Sequence, residues 1–151
     1  MYMRSLLALG ALLLSASPAL ADDFVYLKCE AKGFNEAKNL ETNEIDRREF
    51  KGDIQHWKVD IANSRLIEAG GDVWDTATIV NGVAIEEWDK PRSKKGISLS
   101  SKFSIQIDPP GPLFLHSISR GDFGSYTMNA TGMCEEIDAS VFEEALKEAR
   151  S

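Results

Sequence analysis

Hydrophobic residues recur at every second position along most of this chain, and turn-forming residues separate the runs. The longest run is ISLSSKFSIQID, residues 97–108. Ile97, Leu99, Phe103, Ile105 and Ile107 fall on one face, and Ser98, Ser100, Lys102, Ser104, Gln106 and Asp108 on the other. A helix would scatter these positions around its circumference, so the run predicts a strand with one buried and one wet face. FVYLKCEA, residues 24–31, aligns Val25, Leu27, Cys29 and Ala31 in the same way. HWKVDI, 56–61, aligns Trp57, Val59 and Ile61, and an Ala62-Asn63-Ser64 turn leads into RLIEAGG. TATIVNGVAIEEW predicts a hairpin turning at Asn81-Gly82, a pair suited to the positive φ angles of a tight turn. A polar loop, DKPRSKKG at 89–96, follows. Pro109-Pro110-Gly111-Pro112 is expected to interrupt pairing, because proline has no N–H to give a ladder. LFLHSIS and SYTMNATGMCEE form the last two strands, joined across Arg120 to Gly124.

About eight short strands in simple order predict an all-β, mainly antiparallel domain, a small barrel or barrel-like sandwich. Two segments depart from the alternation. Residues 33–53 are rich in Glu, Asn, Lys and Arg and are expected as a surface loop or short surface helix. From Ser140, capping-box spacing to Glu143 and an apolar stripe of Val141, Phe142, Ala145, Leu146 and Ala149 predict an amphipathic helix over 140–150. That helix is expected to lie against the barrel or its open end.

The amino terminus adds a destination. Arg4, the apolar run Leu6 to Leu14 and Ala19-Leu20-Ala21 have the order of a signal peptide, 1–21, leaving a single domain at 22–151. The run is shorter than the ~20 residues a membrane span needs, so no stable membrane insertion is expected after cleavage. Loss of Arg4 takes the formal net charge from −7 to −8. Such a balance argues against nucleic acid, whose phosphates call for a basic face, and suits a basic partner. Cys29 and Cys134 are the two cysteines, and in an oxidising periplasm or secreted compartment such a pair predicts a disulfide. Both thiols fall on buried faces by alternation, so the bridge would tie the first strand to the last.

Candidate chemistry is sparse. His116 with Ser117 or Ser119 and Asp60 or Asp108 has the residue types of a hydrolase, but no G-x-S-x-G elbow is present and strand neighbours face opposite ways. Two distant thiols, His56 and His116 make no zinc spacing, and the acids after Asp60 lack the order of a calcium loop. No catalytic residue, metal or cofactor is therefore assigned. Arg120-Gly121-Asp122 is expected to be a tight turn, and Asn129-Ala-Thr131 one polar step in a strand. The aromatics Trp57, Trp74, Trp88, Phe103, Phe114, Phe123 and Tyr126 form a core or line a pocket. Trp74, flanked by Asp72 and Asp75, and His116 are the candidate partner or ligand contacts, with loops 33–53, 70–76 and 89–96 around them.

Tyr26-Leu-Lys-Cys29 near the start and Gly132-Met-Cys134 near the end resemble small exported bacterial β-proteins, distantly including the C-type lysozyme inhibitors. SRGDFGSY holds the residues of that family's Ser-Gly-x-x-Tyr motif in a different order. A lipocalin comparison covers strand number and the final helix, without an early G-x-W. The expectation is an exported, non-enzymatic binding or interaction protein whose partner is an unidentified protein or small molecule. Its alternatives are an inhibitor of a basic secreted enzyme such as lysozyme, and a carrier of a small apolar ligand.

Overall fold

The alternation becomes a single antiparallel meander. The structure is a computed structural model that describes residues 24–91 and 93–151. The strands are β1 (Phe24–Asn39), β2 (Ile45–Asp60), β3 (Arg65–Glu68), β4 (Asp75–Thr76), β5 (Thr78–Val80), β6 (Val83–Lys90), β7 (Ser98–Ile107), β8 (Pro110–Arg120) and β9 (Gly124–Glu136), followed by helix α1 (Ala139–Ala149). Their spatial order is β4-β3-β2-β1-β9-β8-β7-β6-β5. The two ends of that order are consecutive in the chain. β4 pairs with β3, β5 pairs with β6, and only Ala77 separates them, its N–H donating to the Ser64 carbonyl at 2.9 Å. One short run of chain thus serves both edges and nearly closes the nine-stranded sheet into a barrel, which removes exposed edges at that level.

The inward positions make the core. Leu27, Val59, Leu66, Ile105 and Leu113, from five different strands, are fully or almost fully buried. Burying each large aliphatic side chain contributes about 1.5–3 kcal/mol. The Trp57 and Phe103 rings meet with centroids 4.8 Å apart. Cys29 and Cys134 are direct partners in the β1–β9 ladder and form a disulfide on the buried side, so the bridge fastens the first strand to the last as expected. Such a bridge is compatible with an oxidising compartment. The expected leader, 1–21, lies outside the described residues. Among those described, no helix is long and apolar enough to cross a membrane.

Several boundaries differ from expectation. Residues 33–53 are mostly strand, not loop or helix: apart from the turn at 40–44 they are the outer halves of β1 and β2, paired from Gly33↔Phe50 to Lys38↔Ile45. Polar side chains stand on both of their faces among a few apolar ones, which hides the strand period; backbone pairing to β9 on the other side of β1 is what holds them extended. The Asn39 side chain closes the hairpin by accepting the N–H groups of Glu41 and Thr42 at 2.8 and 3.2 Å. Segment 70–76 ends in β4, and Asp89 and Lys90 of segment 89–96 finish β6. The proline run interrupts pairing only locally: β8 already starts at Pro110, which faces Ile107 across a tight hairpin, and the register then slips before resuming at Ile105↔Leu113. Pro110 is the strand's first residue, a position where proline is tolerated. Ile61 is 41 % exposed because β2 ends at Asp60 and the chain turns outward.

The helix starts one residue early, with Asp138 as N-cap and no side-chain cap, so the Ser140–Glu143 box is not used. Phe142, 2 % exposed, anchors it through the Tyr26 ring at 5.8 Å. Tyr26 is on the outward face of β1, so α1 lies on the barrel's outer wall and not across an open end. At the Asn81-Gly82 turn both residues take positive φ, 50° and 74°, as the sequence predicts.

Candidate functional site

A strand that buries one face presents the other to solvent, and registers across β2-β1-β9-β8-β7 fix which outward side chains are neighbours. One outward row reads Lys51, Lys32, Thr131, Phe114, Ser104. The row on one side reads Glu49, Phe34, Asn129, His116, Lys102, and that on the other begins Glu30, Met133, Pro112. Polar residues are the rule on such a face, yet Phe114 is 52 % and Met133 64 % exposed. Two open grooves of about 620 and 500 Å³ run over this surface and share Lys32, Lys51 and Thr131. A smaller one of about 230 Å³, with Phe114, His116 and Lys102, continues it toward β7. Gly33 sits at the crossing of β1 and β9, where a Cβ would run into the Asn129 backbone carbonyl. Such close backbone approach marks sharp local coiling of the sheet, and glycine alone permits it.

The charges on this surface are unevenly matched. Arg47 bridges Glu36 at 3.6 Å and Glu49 at 3.8 Å, with its guanidinium 3.6 Å from the Phe34 ring centroid. Lys102 pairs with Glu87 at 2.8 Å. Lys32 and Lys51 face each other directly in the ladder, and among the described residues neither enters an ion pair. Like charges directly opposite on a sheet destabilise it. His116 shares a 2.6 Å hydrogen bond between Nδ1 and the Asn129 side-chain oxygen, the imidazole N–H donating.

The four expected contact residues do not come together. His116 is exposed on the outer-wall surface just described. Trp74 is half-buried at the β3–β4 side, with the Arg65 guanidinium 4.4 Å and the Lys58 ammonium 5.9 Å from its ring centroid. Asp72 is exposed beside it, and Asp75 is half-buried in β4, opposite the core residue Leu66. Nor does a hydrolase triad assemble. Ser117 and Ser119 share the inward face of β8 with Leu113, opposite to His116. Asp60, 1 % exposed, is saturated by Asn63 and Arg65, with the Asn63 backbone N–H at 3.1 Å, its amide at 2.8 and 3.0 Å and Arg65 Nε at 2.8 Å. Burial alone would raise the Asp60 pKa, but those hydrogen bonds outweigh it and hold the carboxyl below its ordinary range.

The inner face of the barrel carries acids where the wall is incomplete. Beyond Glu68 and Asp75 no strand among the described residues lies between β2 and β6. Glu86 pairs with the core residue Phe103 and is only 9 % exposed, and its Oε1 has no hydrogen-bond partner. Burial, then the negative charge of Asp75, raises its pKa against a hydrogen bond from the Trp88 side chain. Glu68 is also raised, first by desolvation of its carboxyl and then by Asp53, although much of the residue is exposed. Among the described residues no three His, Cys, Asp or Glu side chains converge as a metal-ion set.

Lys32, Lys51 and Met133 were not singled out from the sequence, although one signal was present. Met133 and Phe114 have the wrong parity for their strands, since each is flanked by inward residues (Cys134, Leu113 and Leu115) and so projects a large apolar group into water. Comparison with protein-family models, with curated proteins and with solved structures finds no match to this chain.

Proposed function

We propose that this chain is an exported, non-enzymatic binding protein that meets its ligand or partner on the outer wall of the barrel, across β2-β1-β9-β8. The observation that carries this reading is the joined pair of open grooves of about 620 and 500 Å³, the second lined by exposed Phe114 and Met133 and the first by Phe34 and Phe50. Volumes of that size suit a small ligand or a short segment of a partner. The filled middle of the barrel favours the outside over an interior carrier site, because Leu27, Leu66, Ile105 and Leu113 already occupy it.

The test is capture from periplasmic extract on immobilised protein, with mass analysis of what stays bound. Phe114→Ser with Met133→Ser is expected to lose the captured species while keeping the wild-type fold. Equal capture by this double variant, with loss instead on changing Trp74 and Asp72, would move the site to the β3–β4 side. The lysozyme-inhibitor reading is checked separately, by lysozyme activity in excess protein; unchanged activity removes it.

A further inference from the structure

Resting on that outer-wall reading, we infer that the groove takes a free anionic amphiphile, a molecule with a carboxylate-type head and an alkyl tail. The head would lie between Lys51 and Lys32, and the tail would run past Thr131 onto Phe114 and Met133.

The argument starts from the cross-strand row Lys51–Lys32–Thr131–Phe114. Its four members change from two cations to a hydroxyl to an aromatic ring within three strand spacings, about 14 Å at 4.7–4.9 Å each. A head-and-tail molecule has that same order of chemistry along its length. The lysine pair is the second argument. Two ammonium groups opposite each other repel, and in an acidic chain with 24 carboxylates many other partners were available. An anion between them turns the repulsion into two charge-assisted hydrogen bonds. Met133 and Pro112, in the adjoining row, widen the apolar end, and the groove of about 500 Å³ joins them and Phe114 to both lysines. The acids at the margin are Glu30, beside Met133, and Glu49, which is already engaged by Arg47. They leave the lysine side as the place for the anion, and the two lysine charges there disfavour a cationic head. A lipid still in a bilayer is disfavoured by the overall negative charge, which repels an anionic surface.

The experiment uses the disulfide-bonded protein and dodecanoate, kept below micelle formation, with binding read by calorimetry and by amide shifts in NMR. Dodecanoate is expected to bind and to shift the amides of Lys32, Thr131 and Phe114. Dodecyltrimethylammonium is expected not to bind. Lys32→Gln with Lys51→Gln should weaken dodecanoate about tenfold or more, as befits loss of charge-assisted hydrogen bonds. Added salt should weaken it too, because exposed charges are screened over about 10 Å at 0.1 M. Equal binding of dodecanol and dodecanoate would overturn the charge assignment. Shifts confined to Trp57 and Glu86, or binding only to phosphatidylglycerol vesicles, would overturn the site or the free ligand respectively. If no amphiphile binds but capture from extract still depends on Phe114 and Met133, the ligand class fails and the outer-wall reading stands. If neither depends on them, both fail.

Discussion

Replacing both Cys29 and Cys134 by alanine is the most informative perturbation of this fold. The bridge closes a loop with a sequence separation of 105. For a loop of that length the chain-entropy relation assigns about 4.7 kcal/mol at 25 °C to its restriction of the unfolded chain. The two residues already face each other in the β1–β9 ladder, so the folded state keeps its backbone pairing without the bond. The loss therefore acts through the unfolded ensemble, plus a smaller packing cost at two buried positions. Domains of this size are stable by about 5–15 kcal/mol, so roughly a third or more of the total is at stake. With about 2.1 cal/mol/K of unfolding entropy per residue over some 130 residues, the melting temperature should fall by about 17 °C. The assay is guanidinium and thermal unfolding of the oxidised wild type beside the alanine pair. Because a freed chain exposes more surface when unfolded, the denaturant slope should rise as the midpoint falls. A loss under about 1.5 kcal/mol with an unchanged slope would refute the entropic reasoning.

Four further outcomes follow from side chains described above. Glu86→Gln should raise the melting temperature at neutral pH: the folded pKa lies above the ordinary value, so the ionised group opposes folding, and the advantage should vanish as pH falls through the ordinary carboxylate range, as melts across pH would show. Asp60→Asn should destabilise with the opposite pH dependence, since the Asp60 contribution is present above the ordinary carboxylate pKa and is lost as pH drops through its lowered folded value. Phe142→Ala should cost about 3–5 kcal/mol if the helix and wall are one cooperative unit, and hydrogen exchange would reveal instead a locally released α1 if they are not. Gly33→Ala should separate β1 from β9 locally, seen as faster amide exchange at Asn129 and Ala130, because its methyl would meet the Asn129 carbonyl.

What the sequence disclosed followed how one-sided each strand is. Ile97 to Asp108 alternates cleanly because Phe103, Ile105 and Ile107 are buried and their neighbours are wet, and β7 falls at Ser98–Ile107. Asn81-Gly82 and the cysteine pair were legible for equally local reasons, a turn conformation and a redox chemistry. The arms of β1 and β2 were not, because both of their faces carry polar side chains and their shape comes from ladder bonds to distant residues. Asp138 displaced Ser140 as the cap because the helix leaves directly from the end of β9, where Ile137 N–H still donates to the Tyr26 carbonyl at 2.9 Å. The candidate surface was the least legible feature. Lys32, Lys51, Phe114 and Met133 come from four strands, and only the pairing register makes them neighbours.

The Cys29–Cys134 bond, lying at the seam between the first and last strands, also makes residues 29–134 a covalent ring. A protease that cuts once in the connection after Lys90, or at the exposed tip of the β1–β2 hairpin, opens that ring without releasing a fragment. The cut chain remains one molecule with every strand still tethered to its neighbours. Loss of a piece then requires two cuts, or one cut and a reductant. An unreduced gel would therefore show such a clipped protein at full mass, with the break visible only after the bridge is reduced.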